Sequence, residues 1–228
     1  MRRVLVGALL TVLFSAGVVS AGAVATNSGQ TRGVVLLVGD SNITRGAGEI
    51  EMVLSQPVNQ YVPVLAARVG ARIRTPDCLN PLDCETFDYW RYKLATLRSK
   101  VDSDVIVSDL GINDARSPGT ADGPGYTFYG RKIDWFMNLV GGERVLWTSL
   151  PCHIEPPDWQ TGCKVVNYEL FRAVARWPNL TVLHWGKKAY DHPEYMSLPG
   201  IDVHYSDAGY AAWSELVDAA LNARLAAP

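Results

Sequence analysis

After residue 33, short apolar runs alternate with amphipathic stretches. "VVLLVGD" (34–40), "SDVIVSDLG" (103–111), "RVLWTSLP" (144–151) and "LTVLHWG" (180–186) are apolar runs of strand length, bounded by Gly, Pro or Asp. Continuous apolar runs of this kind suit strands buried on both faces. Between them the period changes. "FDYWRYKLATLRSKV" (87–101) sets Phe87, Trp90, Leu94 and Leu97 on one helical face, and "YGRKIDWFMNLV" (129–140) does so with Ile133, Phe136 and Val140. "KVVNYELFRAVARW" (164–177) reads as a further helix. The last helix starts near Asp207, carries Tyr210, Trp213, Val217, Ala220 and Leu221 on one face, and has Ser206 as its cap. "QYVPVLAARVG" (60–70) is expected to be a helix ending at Gly70, and "ARIRT" (71–75) the second strand.

Strands alternating with helices predict parallel strands joined by right-handed crossovers. Five of them fit an α/β fold: a three-layer α/β/α arrangement around a five-stranded parallel, flavodoxin-like sheet. The chain shows no repeat, linker or low-complexity segment, and residues 26–228 are expected to form one domain.

Residues 1–25 stand apart. Two arginines, a long apolar run and Ala23-Val24-Ala25 read as a secretory signal cleaved near Ala25, with a retained membrane anchor as the alternative. Without them the chain keeps 19 Lys+Arg against 23 Asp+Glu, a net charge of −4. With no basic run, nucleic acid and anionic membrane surfaces are not the expected partners. After cleavage no integral span is expected, and the protein is placed outside the cytoplasm, secreted or in the cell envelope. Cys78, Cys84, Cys152 and Cys163 all lie in the exported part. An even number there suggests two disulfides. Three pairings exist, of which short spacing favours 78–84 and 152–163. The spacings lack the tight pairs of structural zinc, and no metal or cofactor motif is present.

In an open α/β sheet, ligands bind beyond the carboxyl ends of the strands. The residues there are Gly39-Asp40-Ser41-Asn42, Gly111-Ile112-Asn113-Asp114, Pro151-Cys152-His153 and, after a longer loop, Asp202 and His204. A serine needs a base, a histidine is suited to be one, and a carboxylate can orient the imidazole. An Asn amide and backbone N–H groups can stabilise an oxyanion. Ser41, His204, Asp202 and Asn113 cover these roles, although each alone could be a cap, a turn residue or a surface histidine.

These segments resemble the SGNH, or GDSL-type, hydrolases. "GDSN" (39–42) is similar to the family's first block, "GIND" (111–114) to its Gly-x-Asn-Asp block, and "VHYSDAGYAAW" (203–213) to its last. The resemblance covers nearly all of the chain after residue 25. It implies Ser41 as nucleophile, His204 as base, and the Ser41 N–H and Asn113 as oxyanion donors. Two positions depart from the family pattern. The acid usually stands three residues before the histidine; Ile201 is there, and Asp202 is the nearest carboxylate. The glycine of the second block is expected after the second strand, in "RTPDCLNPLDC" (74–84), which has none; Cys78 or Leu79 could offer a backbone N–H instead.

The expected activity is hydrolysis of an acyl or acetyl ester, on an acylated carbohydrate, a lipid or a small ester, through an acyl-enzyme. An O-acyltransferase on a carbohydrate and a non-catalytic binding protein are the alternatives. His153 and Trp159, the latter expected in a Pro-rich loop, are candidate substrate contacts. Asp40 and Asp114 are read as turn or network residues.

Overall fold

The sheet is built around β1 (Gly33–Gly39). The computed structural model describes residues 32–56, 59–74, 89–116, 126–153, 157–200 and 202–225. β1 pairs in parallel with β2 (Tyr61–Ala67) on one side and β3 (Val105–Asp109) on the other. β4 (Arg144–Thr148) and β5 (Leu180–Leu183) complete the order β2-β1-β3-β4-β5, all parallel. This is the expected flavodoxin-like sheet.

Side chains alternate between the two faces of each strand. Leu36 and Val38 of β1, Ile106 of β3 and Val145 and Trp147 of β4 pack on one side with Trp90 and Leu94 of α3 (Tyr89–Arg98), Ile133 and Phe136 of α5 (Tyr126–Val140), and Val166 and Leu170 of α6 (Pro157–Ala173). Val35 and Leu37 of β1, Val107 of β3 and Leu146 of β4 pack on the other side. Their partners there are Ile43 of α1 (Ser41–Arg45), Ile50 and Leu54 of α2 (Ala47–Leu54), Trp185 of α7 (Trp185–Asp191) and Trp213, Val217 and Leu221 of α8 (Asp207–Leu225). The short helix α4 (Ile112–Ala115) follows β3. Ser206 caps α8, its Oγ accepting the Gly209 N–H at 3.1 Å.

The second strand corrects the sequence reading. Residues 61–67 are β2 and not a helix, and Ala71–Arg74 form no strand. Pro63 in mid-segment removes a helical donor and clashes with the preceding turn. An edge strand tolerates proline, because one of its sides has no ladder to supply. α6 also starts at Pro157, ahead of the expected 164, with a proline in the first helical position where its missing N–H is not needed. Trp159 therefore stands on a helix and not in a loop. α1, α2, α4 and α7 were not expected from the pattern.

Cys152 and Cys163 form a disulfide with Cα atoms 5.4 Å apart. Cys78, Cys84, Leu79, Phe87 and the signal-like residues 1–25 lie outside the described residues. Among the described residues no helix is long and apolar enough to cross a membrane.

Candidate active site

The site starts at the carboxyl end of β1. A Cβ on Gly39 would lie 2.1 Å from Ile43 Cγ1, so only glycine lets α1 fold back against the strand end. Asp40 caps α1, its Oδ1 accepting the Asn42 N–H at 3.0 Å. Ser41 is the first residue of α1 and is 7% exposed. Asn42 Nδ2 donates to Val203 O at 3.3 Å, tying the residue after Ser41 to the residue before His204.

The histidine arrives on a folded loop. A single 3₁₀ turn, Pro193–Tyr195, leads to an antiparallel bridge between Met196 and Tyr205. Ser197 N–H donates to His204 O at 2.9 Å and Ser206 N–H to Tyr195 O at 2.9 Å. A Cβ on Gly209 would fall 2.0 Å from Tyr195 O, so glycine allows the first turn of α8 to close on this loop. His204 Nε2 is 3.0 Å from Ser41 Oγ, and His204 Nδ1 is 2.5 Å from Asp202 Oδ1.

The acid reaches the imidazole despite standing only two residues away. Asp202 Oδ1 also accepts the His204 backbone N–H at 3.2 Å. This is an Asx turn, in which a carboxylate folds back onto the chain two residues on. Gly200 nearby has φ +79°, the left-handed region that glycine enters freely. Ser197 Oγ donates to Asp202 Oδ2 at 2.7 Å. Burial pushes the Asp202 carboxyl up, but the bonds from Ser197 and His204 outweigh it and hold the group below its ordinary value.

Asn113 enters from α4. Its Nδ2 donates to Asp40 Oδ2 at 2.8 Å and to Ala71 O at 3.0 Å. Both amide protons therefore have acceptors, and donation to an oxyanion requires the proton on Ala71 O to be shared or released. Ala71 belongs to the stretch Arg68–Arg74 that follows β2. Asp114 holds this stretch too, accepting the Ile73 N–H at 2.7 Å while pairing with Lys132 Nζ at 2.6 Å. The chain beside Asn113 thus begins directly after β2 and includes Gly70, at φ +75°. The sequence reading seeks the second oxyanion donor in 74–84, after a second strand at 71–75; residues 75–84 lie outside the described residues, and the chain that follows the observed β2 starts at Arg68.

Two buried carboxyls belong to this strand end: Asp40, read from the sequence as a turn or network residue, and Asp109, which the sequence reading did not link to the site. Asp109, 1% exposed, ends β3 in register with Gly39. Thr148 Oγ1 donates to Asp109 Oδ1, and Tyr205 Oη lies 3.3 and 3.2 Å from its two oxygens. Burial raises Asp109 to about 7. Burial, then the charge of Asp109, raises Asp40 to about 8, while Asn42 and Asn113 pull it down. The one sequence signal was a carboxylate closing an otherwise apolar strand.

The other candidates have partners outside the triad. Trp159 Nε1 donates to Ile112 O at 3.0 Å, and the Arg116 guanidinium lies over its ring. His153 has both ring nitrogens buried and meets Tyr190 edge-on. His184 stacks on Phe171, and His192 pairs with Glu194. A groove of about 390 Å³ between α6 and α7, lined by Leu150, Cys152, Lys164, Asn167 and Tyr190, does not include Ser41, His204 or Asn113. Among the described residues no group of three or more His, Cys, Asp or Glu could hold a metal.

No family model and no curated protein sequence matches the chain. Solved structures do. A lipase/acylhydrolase from Enterococcus faecalis superposes with a TM-score of 0.63 at 16% identity, over 84% of this chain and 96% of that one. The C-terminal catalytic domain of the peptidoglycan O-acetyltransferase A of Streptococcus pneumoniae gives 0.58 at 15%, over 83% and 92%. The acetyl xylan esterase AlAXEase gives 0.53 at 18%, over 82% and 98%. The fold is that of the SGNH hydrolases.

Proposed function

We propose that the protein is a serine hydrolase that cleaves an acyl or acetyl ester through an acyl-enzyme on Ser41. The observation that carries this is the continuous hydrogen-bonded chain from Asp202 through His204 to Ser41, at 2.5 and 3.0 Å. Ser41 Oγ attacks the acyl carbon as its proton passes to His204 Nε2. The Asp202 carboxylate supports the imidazolium at Nδ1. The oxyanion takes hydrogen bonds from the Ser41 N–H and from Asn113 Nδ2, the latter drawn from Ala71 O. The tetrahedral intermediate collapses, and the leaving alkoxide takes the proton from His204. Water then attacks the acyl-enzyme with His204 as base, releasing the acid and restoring Ser41. The same residues would pass the acyl group to a sugar hydroxyl in place of water, and the likeness to an O-acetyltransferase domain supports this second reading. A non-catalytic role gives no reason for an aligned triad.

The reading places the enzyme outside the cytoplasm, supported by the signal-like residues 1–25 and the Cys152–Cys163 disulfide. A fluorophosphonate should label Ser41 and no other serine, and Ser41→Ala should abolish labelling. Labelling that persists in that variant would overturn the mechanism.

A further inference from the structure

We infer that the N-terminal half of α6 sets the position of Asn113, with Trp159 and Gly162 as positioning residues and the Cys152–Cys163 disulfide as their anchor. This rests on Asn113 being an oxyanion donor, as proposed above. α4 has four residues, too few to hold a helix by themselves. Its neighbours on α6 hold it. Trp159 donates to the carbonyl of Ile112, the residue immediately before Asn113. A Cβ on Gly162 would lie 2.4 Å from Ala115 O and 3.2 Å from Ala115 Cα. Gly111, at φ +131°, brings the start of α4 so close that a Cβ there would be 3.0 Å from Val166 Cγ1. Residues on both sides of Asn113 therefore rest on α6, while Asn113 reaches to Asp40 and Ala71.

The contacts on α6 come from positions 159, 162, 163, 166 and 167, one face of a helix at i, i+3, i+4, i+7 and i+8. Two of these positions fix α6 to the end of β4. Cys163 is bonded to Cys152. Asn167 accepts the Leu150 N–H at 2.7 Å and donates to Leu150 O at 2.8 Å. Cys152, half-buried at the far end of this chain of contacts, is thereby linked through α6 to the oxyanion donor. A shift of about 1 Å in a catalytic group can cost about 10²-fold in rate, so a small movement of this seat is enough to be seen.

The test uses the full chain and compares Gly162→Ala, Trp159→Phe and the Cys152→Ala/Cys163→Ala double variant with the parent. Three measurements are made: kcat and KM on a small aryl ester, affinity for a boronic acid that forms a tetrahedral adduct on Ser41, and the Asn113 side-chain amide resonances, assigned by their loss in Asn113→Ala. Gly162→Ala should lower kcat by about 10–100-fold, leave KM and the shape of the pH profile unchanged, and weaken the boronate by a similar factor. Trp159→Phe keeps the ring but lacks the donor; it should do the same by about tenfold, and it decides the matter if Gly162→Ala fails to fold. The Asn113 amide signals should move in all three variants that fold. Folded variants with unmoved Asn113 signals overturn the inference whatever their activity. Folded variants that lose kcat while binding the boronate as tightly as the parent overturn it too. If the parent itself shows no Ser41-dependent turnover, the proposed function fails, while the amide signals still decide what positions Asn113.

Discussion

The two halves of the site are built in different ways. The acid–base half is local: Asp202, His204 and their support from Ser197 fall within eight residues, and the Asp202 and His204 side chains keep 26% and 17% of their exposure. The oxyanion half is assembled from the ends of three strands. Asp40 follows β1, Ala71 follows β2, and Asn113 and Asp114 follow β3, with Asp40 and Asp114 at 0% and 1% exposure. Damage to the first half should therefore appear as lost chemistry in a stable protein. Damage to the second should cost stability along with chemistry.

Substitutions along the triad sharpen the contrast most. Ser41→Ala should lower kcat by about 10⁶-fold, and Asp202→Ala by about 10⁴-fold with little change in Tm. A change within about threefold for Asp202→Ala would mean that the enzyme works as a Ser–His dyad. In the other half, Asn113→Ala should lower kcat by about 10²–10³-fold. It also leaves Asp40 without one of its donors, so thermal unfolding should show a loss that Asp202→Ala lacks.

Asp114→Ala tests the buried half without removing a proposed catalytic group. It leaves Lys132, 5% exposed, without its carboxylate and frees the Ile73 N–H. The expected loss in chemical denaturation is about 3–5 kcal/mol. A loss below about 1 kcal/mol would mean that water replaces the carboxylate there.

The last effect is one of pH, and its sign differs between the halves. Asp202 is held below its ordinary value, so its contribution is present above the unfolded carboxylate pKa and is lost as pH falls through the lower folded one. Asp109 and Asp40 are raised to about 7 and about 8. The folded state holds their protons where the unfolded state has released them. Their contribution is complete below the unfolded pKa and is lost as pH rises from about 4 to about 8. Asp109→Asn should therefore gain on the parent as pH rises, by at most about 1.4 kcal/mol per pH unit. A stability difference that stays flat from pH 5 to 8 would show that Asp109 does not titrate there.

The same contrast explains what could be read from the sequence. Four of the five strands and the four longest helices, α3, α5, α6 and α8, were visible in their periods, and Ser41, Asn113 and His204 stood out because each follows an element boundary within a recognisable block. Asp202 was the nearest carboxylate, but its reach depends on an Asx turn that period alone does not reveal. β2 was misread because "YVPVLAARV" carries apolar residues at helical as well as strand spacing; Pro63 was the signal to weigh. That error also set the search for the second oxyanion donor further along the chain, at 74–84, than the observed end of β2 at Ala67 would. The Asp40–Asp109–Tyr205 group joins residues far apart in the chain, and no local pattern marks such a meeting. Trp159 was singled out for its aromatic ring; the ring lies under the Arg116 guanidinium, and it is the indole N–H that reaches α4.

Pro63 has one more effect. Among the described residues the sheet ends at β2 on one side and at the four-residue β5 on the other, and every open strand edge is a place where a second molecule could add its own strand. A proline within β2 interrupts the row of donors such an addition would use, and β5 is too short to offer a long one. Pro63→Val would make β2 a continuous Val-rich edge strand, and the variant is expected to self-associate on heating at concentrations where the parent stays monodisperse by light scattering.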